Sequence, residues 1–298
     1  MFLILDQQQT EFSLKLKDTA ENKGIKTLYL TSTEIAQDLV LAFQLTDKKD
    51  SFKLRYRDTS IESQDLYGIY CGIHNFWPEL WPRYTAEDAR YAAQETYSLW
   101  VAMLASLSCR VINQPALDAL AGTVLSKPET LHLAQKLGFR IPMIITLESG
   151  KVAADLSSSN TALQYADLGQ NIAGEIELSD ANKSDLQQSN NHCRITEIVA
   201  GQPAFVTLVG EQFFACCIDD RGMYQLMKNN DIPISEKTRI QNMQKELNLN
   251  MAEYYFRISK DNTWIFSGYG LPPSYSVKAF GDRLYDYIVN YAIGNGGS

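Results

Sequence analysis

The stretch from Ser126 to Thr146 constrains the fold most, because a helix start, a helix stop and a strand entry follow one another in it. Ser126 can cap a helix, and Glu129, three residues on, completes a capping box. Leu131, Ala134 and Leu137 recur at helical spacing and make one face apolar. Gly138 supplies the left-handed residue that ends such a helix. Pro142 then biases the chain toward extended backbone, and Met143-Ile144-Ile145-Thr146 reads as a strand. A short helix thus carries Lys127 at its start and delivers the chain to a strand. Taken alone, that lysine is a solvated side chain at a helix–strand joint.

The rest of the chain supplies the context. Residues 1 to 6 predict a strand, and Glu11 to Asn22 a helix with Phe12, Leu16 and Ala20 on one face. Ile25 to Leu30 predicts a second strand and Glu34 to Phe43 a short helix, so the opening reads as β-α-β in a small parallel sheet. Residues 46 to 57 are charged and read as a hairpin or exposed loop, and Leu66 to Ile73 as a strand. The segment Asn75 to Tyr84 is dense in aromatics and carries two prolines, which exclude a regular helix. It reads as a loop pinned by its rings, or as a recognition loop. Thr85 and Asp88 predict a capped helix to about residue 107, with Ala92, Thr96, Leu99, Met103 and Leu107 as its buried stripe. Cys109 to Pro115 reads as a short strand and turn.

Residues 147 to 192, rich in Ser, Asn, Asp and Gln, read as loops with an edge element, and Arg194 to Val199 as a strand. Two apolar runs, 204 to 209 and 212 to 218, flank Gly210-Glu211 and predict a hairpin. Ser235 is placed to cap a helix with Ile240, Met243 and Leu247 inward, and 253 to 259 with 263 to 266 predict a second hairpin. Leu284, Tyr287, Ile288 and Tyr291 line a last helix, and residues 294–298 read as a disordered tail. The fold class is α+β, α/β in its N-terminal part.

Composition narrows the function. With 298 residues, 45% hydrophobic and 21% charged, the chain is long enough for two or three modest domains around a well-buried core. A net charge of -8 argues against a general nucleic-acid binder. No apolar run is long enough to span a membrane, and the N-terminus lacks a basic region and cleavage site. Five irregularly spaced cysteines predict reduced thiols and a cytoplasmic location, with Cys216-Cys217 in the core. His74, His132 and His192 are scattered and suggest no zinc site; His192-Cys193 has no companions.

The lysine at the start of the 126–146 stretch, its Ala-x-x-x-Gly-x-x-x-Pro-type run into a strand, and the Val-Ile-Asn-x-Pro of 111–115 resemble the ATP-grasp ligases. The likeness is to the RimK-like enzymes and to ligases that cross-link microviridin-type peptides, and it covers the chain from about residue 66 onward. It implies a pre-grasp domain over 1–115, a central lobe over 116–200 and a C-terminal lobe over 201–293, the two lobes clamping a nucleotide. It implies ATP as cofactor, with Lys127, Glu197 and Val199 as nucleotide-binding residues; Glu197 and Val199 lie in Thr196-Glu197-Ile198-Val199-Ala200-Gly201, which resembles the strand that holds the adenosine. It also implies a peptide or protein partner, and a homodimer or a pairing with an active ligase.

Such ligases activate a carboxylate as an acyl phosphate. Magnesium neutralises the transferred phosphoryl group and needs hard oxygen ligands. In the family these sit on the last hairpin, as an Asp on one strand and a Glu and an Asn on the next. The matching positions here are Tyr255, Ser267 and Tyr269, so the resemblance implies a degenerate metal site. Glu253 and Asp261 are the nearby carboxylates that could serve instead, and Arg257 could bind phosphate or a carboxylate, Glu253 and Arg257 being the catalytic candidates. A second phosphate-binding lysine has no clear counterpart, and Phe205 stands where a basic residue often opens the central hairpin. Three readings follow: a binding or regulatory partner that has lost metal-dependent chemistry, an active divergent carboxylate–amine ligase, or an interaction module without nucleotide, using the Trp77–Tyr84 segment and Tyr285, Tyr287 and Tyr291.

Overall fold

The computed structural model describes residues 1–44, 51–116, 119–147, 163–167, 176–177, 193–197 and 199–294. Most of the Ser/Asn-rich 147–192 region, His192 and the 295–298 tail lie outside them.

In chain order the first elements are β1 (Phe2–Asp6), α1 (Glu11–Asn22), β2 (Thr27–Thr31), α2 (Ser32–Asp38), β3 (Leu39–Gln44), β4 (Ser51–Tyr56), β5 (Thr59–Glu62), β6 (Gly68–Gly72), α3 (Ala86–Ser106) and β7 (Arg110–Ile112). They build a parallel sheet of order β2-β1-β6-β7 and an antiparallel sheet β3-β4-β5. Every residue of β1 is buried, as a parallel strand covered on both faces requires. Its side chains divide between two cores. Leu3 and Leu5 join Trp100, Met103 and Leu104 of α3, while Phe2 and Ile4 join Phe12 and Leu16 of α1.

Two expectations over this region need correction. The helix expected over 34–43 stops at Asp38, and Leu39, Leu41 and Phe43 instead alternate inward along β3. Period-two burial against the first core outweighed the helical reading of this short run. The buried stripe of α3 is Ala89, Ala93, Trp100, Met103 and Leu104; of the expected residues only Met103 is buried. Trp100, at 1% exposed, sets the inward face, and the expected stripe lay about one residue to the side of it. The cap is as expected, the Thr85 hydroxyl accepting the Asp88 N–H at 3.2 Å.

The chain continues with α4 (Lys127–Lys136), β8 (Ile144–Leu147), β9 (Leu163–Asp167), β10 (Ile176–Glu177), β11 (Cys193–Glu197), β12 (Gln202–Val209), β13 (Gln212–Ile218), β14 (Tyr224–Met227), α5 (Ile234–Glu246), β15 (Met251–Ile258), β16 (Trp264–Gly270), α6 (Tyr275–Phe280) and α7 (Asp282–Ala292). One antiparallel sheet has the order β10-β9-β11-β8, the other β14-β13-β12-β15-β16. Both expected hairpins are present. Pro233, not Ser235, precedes α5, which buries Ile240, Met243 and Leu247 as anticipated. Together with Leu131 and Ala134 of α4 they cover one face of the five-stranded sheet. Glu129 closes the start of α4 by accepting the Ser126 N–H at 3.0 Å and its hydroxyl at 2.6 Å, and Gly138 ends the helix at φ +82°.

Two devices join the first sheet to the C-terminal part of the chain. Asn113, 2% exposed, accepts the Asn250 and Met251 N–H groups at 2.9 and 2.8 Å and donates to the Met251 carbonyl at 3.0 Å. It thereby fixes the end of β7 to the start of β15. In addition, α7 returns to the first sheet: Leu284, Ile288 and Val289 share a core with Phe2, Ile4, Phe12 and Leu16. Of the tyrosines of α7, Tyr285 is buried in this packing, while Tyr287 and Tyr291 pack against it and stay partly exposed. Tyr285 is buried against Phe12, Tyr287 packs on Phe214, and the Arg110 guanidinium lies over the Tyr291 ring at 4.1 Å. No helix among the described residues is long and apolar enough to cross a membrane.

Candidate functional site

The candidate residues of the last hairpin lie on β15 and β16, and strand alternation decides what each faces. Glu253 and Tyr255 point to one face, opposite Thr207 and Phe205 of β12. On β16 their partners are Gly270 and Gly268, which have no side chain to offer. A register shift between Tyr255 and Phe256 marks a bulge, beyond which Phe256 pairs with Phe266. Tyr269 pairs with Tyr254 and packs with the core on the opposite face. Tyr255 and Tyr269 therefore do not converge, and Ser267 is held at the bulge, donating to the Tyr255 carbonyl at 3.2 Å.

The Glu253 face is roofed by α6. Glu253, 0% exposed, accepts the N–H groups of Ser274 at 2.9 Å, Tyr275 at 3.1 Å and Ser276 at 2.6 Å. Its carboxylate occupies the place of a helix cap, where free N–H groups favour a negative charge. Thr207 adds a hydroxyl bond to Ser276 at 2.8 Å. Beside this polar seam the Phe205 and Tyr275 rings stack at 3.9 Å and 9°, and Tyr255 meets both edge-on. Its hydroxyl rests over Gly270, 1.9 Å from where a Cβ would stand, so any larger residue at 270 would displace the ring. Burial first, then the charge of Glu253, push the Tyr255 phenol up to about 12, so it is a neutral hydroxyl at ordinary pH.

Tyr269 has a different task. Its hydroxyl accepts the Leu125 N–H at 3.0 Å and donates to the Thr123 carbonyl at 3.0 Å. It braces the segment that leads into α4, two residues before Lys127. Lys127 itself is half-buried at the first position of α4. Glu197 ends β11, where its carboxylate accepts the Met143 N–H at 3.0 Å while its own N–H donates to the Met143 carbonyl at 2.9 Å. Val199 follows, half-buried. Arg257 is exposed and donates to the Gly201 carbonyl at 3.2 Å. Asp261, at the hairpin tip, is held below the usual carboxylate range by the Ser259 and Thr263 hydroxyls. Among the described residues no group of three His, Cys, Asp or Glu side chains is placed to hold a metal ion. The donor set of Tyr255, Ser267 and Tyr269 does not fit magnesium: the donors are neutral hydroxyls, and they face different ways.

Pinning of the aromatic segment is as expected. Phe76 is buried and Trp81 packs on the first core, whereas Trp77 and Tyr84 are exposed. Ser274 to Ser276 were missed by sequence reasoning. Pro272-Pro273-Ser274 ahead of Tyr275 was the available signal for a helix start there.

A two-lobed antiparallel clamp on a parallel N-terminal sheet has counterparts among solved structures. The macrocyclase MdnC of Microcystis aeruginosa MRC, bound with precursor peptide MdnA, matches with TM-score 0.75, 16% identity and coverage of 98% of this chain and 99% of that one. The chain has the ATP-grasp fold. An ATP-grasp ligase of Chryseobacterium gregarium, RiPP-associated and in complex with ADP and a leader and core peptide, matches with TM-score 0.74 at 13% identity, covering 99% of this chain and 97% of that one. A RimK domain ATP-grasp protein of Sphaerobacter thermophilus DSM 20745 matches with TM-score 0.59 at 12% identity, covering 99% and 100%. No family model and no curated protein sequence matches. At such identities the likeness is one of ATP-grasp architecture, and function rests on the site.

Proposed function

We propose that this ATP-grasp protein is a binding or regulatory partner in a peptide-ligation pathway, taking up a peptide and a nucleotide without magnesium-dependent phosphoryl transfer. The observation that carries this reading is the occupation of the Glu253 face. Its carboxylate holds α6, its neighbour Tyr255 is packed edge-on against Phe205 and Tyr275, and the facing strand offers Gly268 and Gly270. Phosphoryl transfer needs carboxylates free to hold metal at that place.

Lys127, Glu197 and Val199 are the residues proposed to meet the nucleotide, between lobes spanning 116–200 and 201–293, with 1–115 as the pre-grasp domain. The peptide is proposed because two of the similar structures are complexes with precursor or leader and core peptides. The described cysteines, Cys71, Cys109, Cys216 and Cys217, are free thiols, which supports a reducing, cytoplasmic setting.

Calorimetric titration of ATP with and without magnesium tests the reading. The expected result is the same affinity in both, abolished by Lys127→Ala. Binding that magnesium tightens would favour a divergent active ligase, and no binding at all would favour an interaction module.

A further inference from the structure

A cavity of about 280 Å³ lies at the C-terminal ends of β1, β6 and β7, closed by Met251 of β15 and by Leu271 and Pro272 after β16. The carboxyl ends of parallel strands are a recurrent place for ligands, since the chain diverges there and leaves a crevice. Two buried oxygens meet in this one. Asp6, the last residue of β1, is 3% exposed. Its Oδ2 accepts the Thr10 hydroxyl at 2.7 Å, the Tyr29 hydroxyl at 3.2 Å, the Thr10 N–H at 3.3 Å and the Ser13 hydroxyl. Its Oδ1 accepts the Gln7 N–H at 2.9 Å and nothing further among the described residues. All these donors are neutral, and no ion pair to Asp6 occurs among the described residues. Tyr70, 4% exposed, lines the same cavity, and its hydroxyl has no hydrogen-bond partner among the described residues.

Gly72 shows that the two oxygens converge. A Cβ built on it would stand 2.9 Å from Asp6 Oδ1 and 3.2 Å from the Tyr70 hydroxyl. The glycine leaves open the space between a carboxylate with a spare lone pair and an unpartnered phenol. A buried carboxylate with neutral partners only favours a cation beside it. Burial, with Asp6 close by, pushes the Tyr70 phenol well above its ordinary value, so its oxygen is a neutral acceptor. An apolar side of the wall is made by Ala121, Met251, Leu271 and Pro272, while Gln7, Gln8, Thr10, His74 and Asn113 also line the cavity.

We propose that this cavity binds a primary ammonium group carried on a short unbranched apolar stem. The head donates to Asp6 Oδ1 and to the Tyr70 hydroxyl, and the stem lies against the apolar wall. A guanidinium would bring five donors to two acceptors and leave some unpaired. An anion would meet the Asp6 charge. The site involves no nucleotide, so its test is separate from that of the cleft.

The probe is n-butylammonium, with n-butanol as the neutral control, followed by saturation-transfer NMR on the full chain without nucleotide. The ammonium should bind and the alcohol should not. Tyr70→Phe should weaken binding about tenfold, the worth of a hydrogen bond to a charged group. Because that hydroxyl has no partner among the described residues, the variant should keep its thermal midpoint. Gly72→Ala, which fills the convergence point, should abolish binding. Equal binding of amine and alcohol would mean an apolar cavity only and would overturn the proposal. So would the absence of amine binding, or an unchanged affinity in Tyr70→Phe.

Discussion

The Glu253 carboxylate accepts the Ser276 N–H at 2.6 Å across a separation of 23 residues, joining the strand next to the edge of a five-stranded sheet to the start of a helix that lies over it. Removing the carboxylate leaves the Ser276 N–H buried without its acceptor, and the part-buried N–H groups of Ser274 and Tyr275 lose theirs too. Glu253→Ala should therefore lose about 3–5 kcal/mol of stability, read from urea denaturation midpoints. Glu253→Gln should lose less, since one amide oxygen still accepts. An unchanged midpoint in the alanine variant would mean that α6 is held by its ring contacts alone.

Tyr269→Phe should be the next most telling change on this hairpin. It removes one hydroxyl that serves two backbone groups, at Thr123 and Leu125, and should cost about 1–3 kcal/mol. Hydrogen exchange should locate the loss, with the Leu125 amide exchanging faster while amides of β12 and β13 keep their protection.

Asn113→Ala should weaken the joint between the first sheet and β15. The Asn250 and Met251 N–H groups lose their acceptor together, so a loss of about 2–4 kcal/mol is expected. Thermal unfolding that separates into two transitions would show that Asn113 also couples the unfolding of the first sheet to that of the five-stranded sheet.

Alkali should unfold the protein early. Burial pushes the phenols of Tyr29, Tyr255 and Tyr285 from 10.0 up to about 12, and the thiols of Cys71 and Cys216 from 9.0 up to about 12. A folded-state value above the unfolded one means that the native state holds its proton more tightly. The stability this contributes is complete below the unfolded values and is lost as pH rises from about 9 to about 12. Urea midpoints should fall steadily over that window, and phenolate absorbance should appear together with unfolding. Tyr255→Phe should shallow the slope.

The capped helix at Ser126, the Gly138 stop and both hairpins could be read from the sequence because each is set by neighbours in the chain. The end of α2 could not, since Leu39 to Phe43 is apolar enough for either period and only the first core chose the alternating one. Glu253 illustrates a different limit. It reads as a free carboxylate near a vacated metal position, but its use depends on residues 274 to 276, which only the fold brings against it. Likewise, the strand bulge at Tyr255 turned Tyr269 to the other face, a change of orientation that spacing alone does not reveal.

The return of α7 to the first sheet has a consequence for folding. Phe2, Ile4 and Leu16 are synthesised long before Leu284, Ile288 and Val289, which complete their apolar face. Until those residues leave the ribosome the first sheet has an open side, and the search that closes it spans nearly the whole chain. Contacts so distant in sequence slow folding and prolong the exposure of sticky surface. Refolding should end with the docking of α7, and fragments that stop short of residue 282 should aggregate through the face that α7 covers.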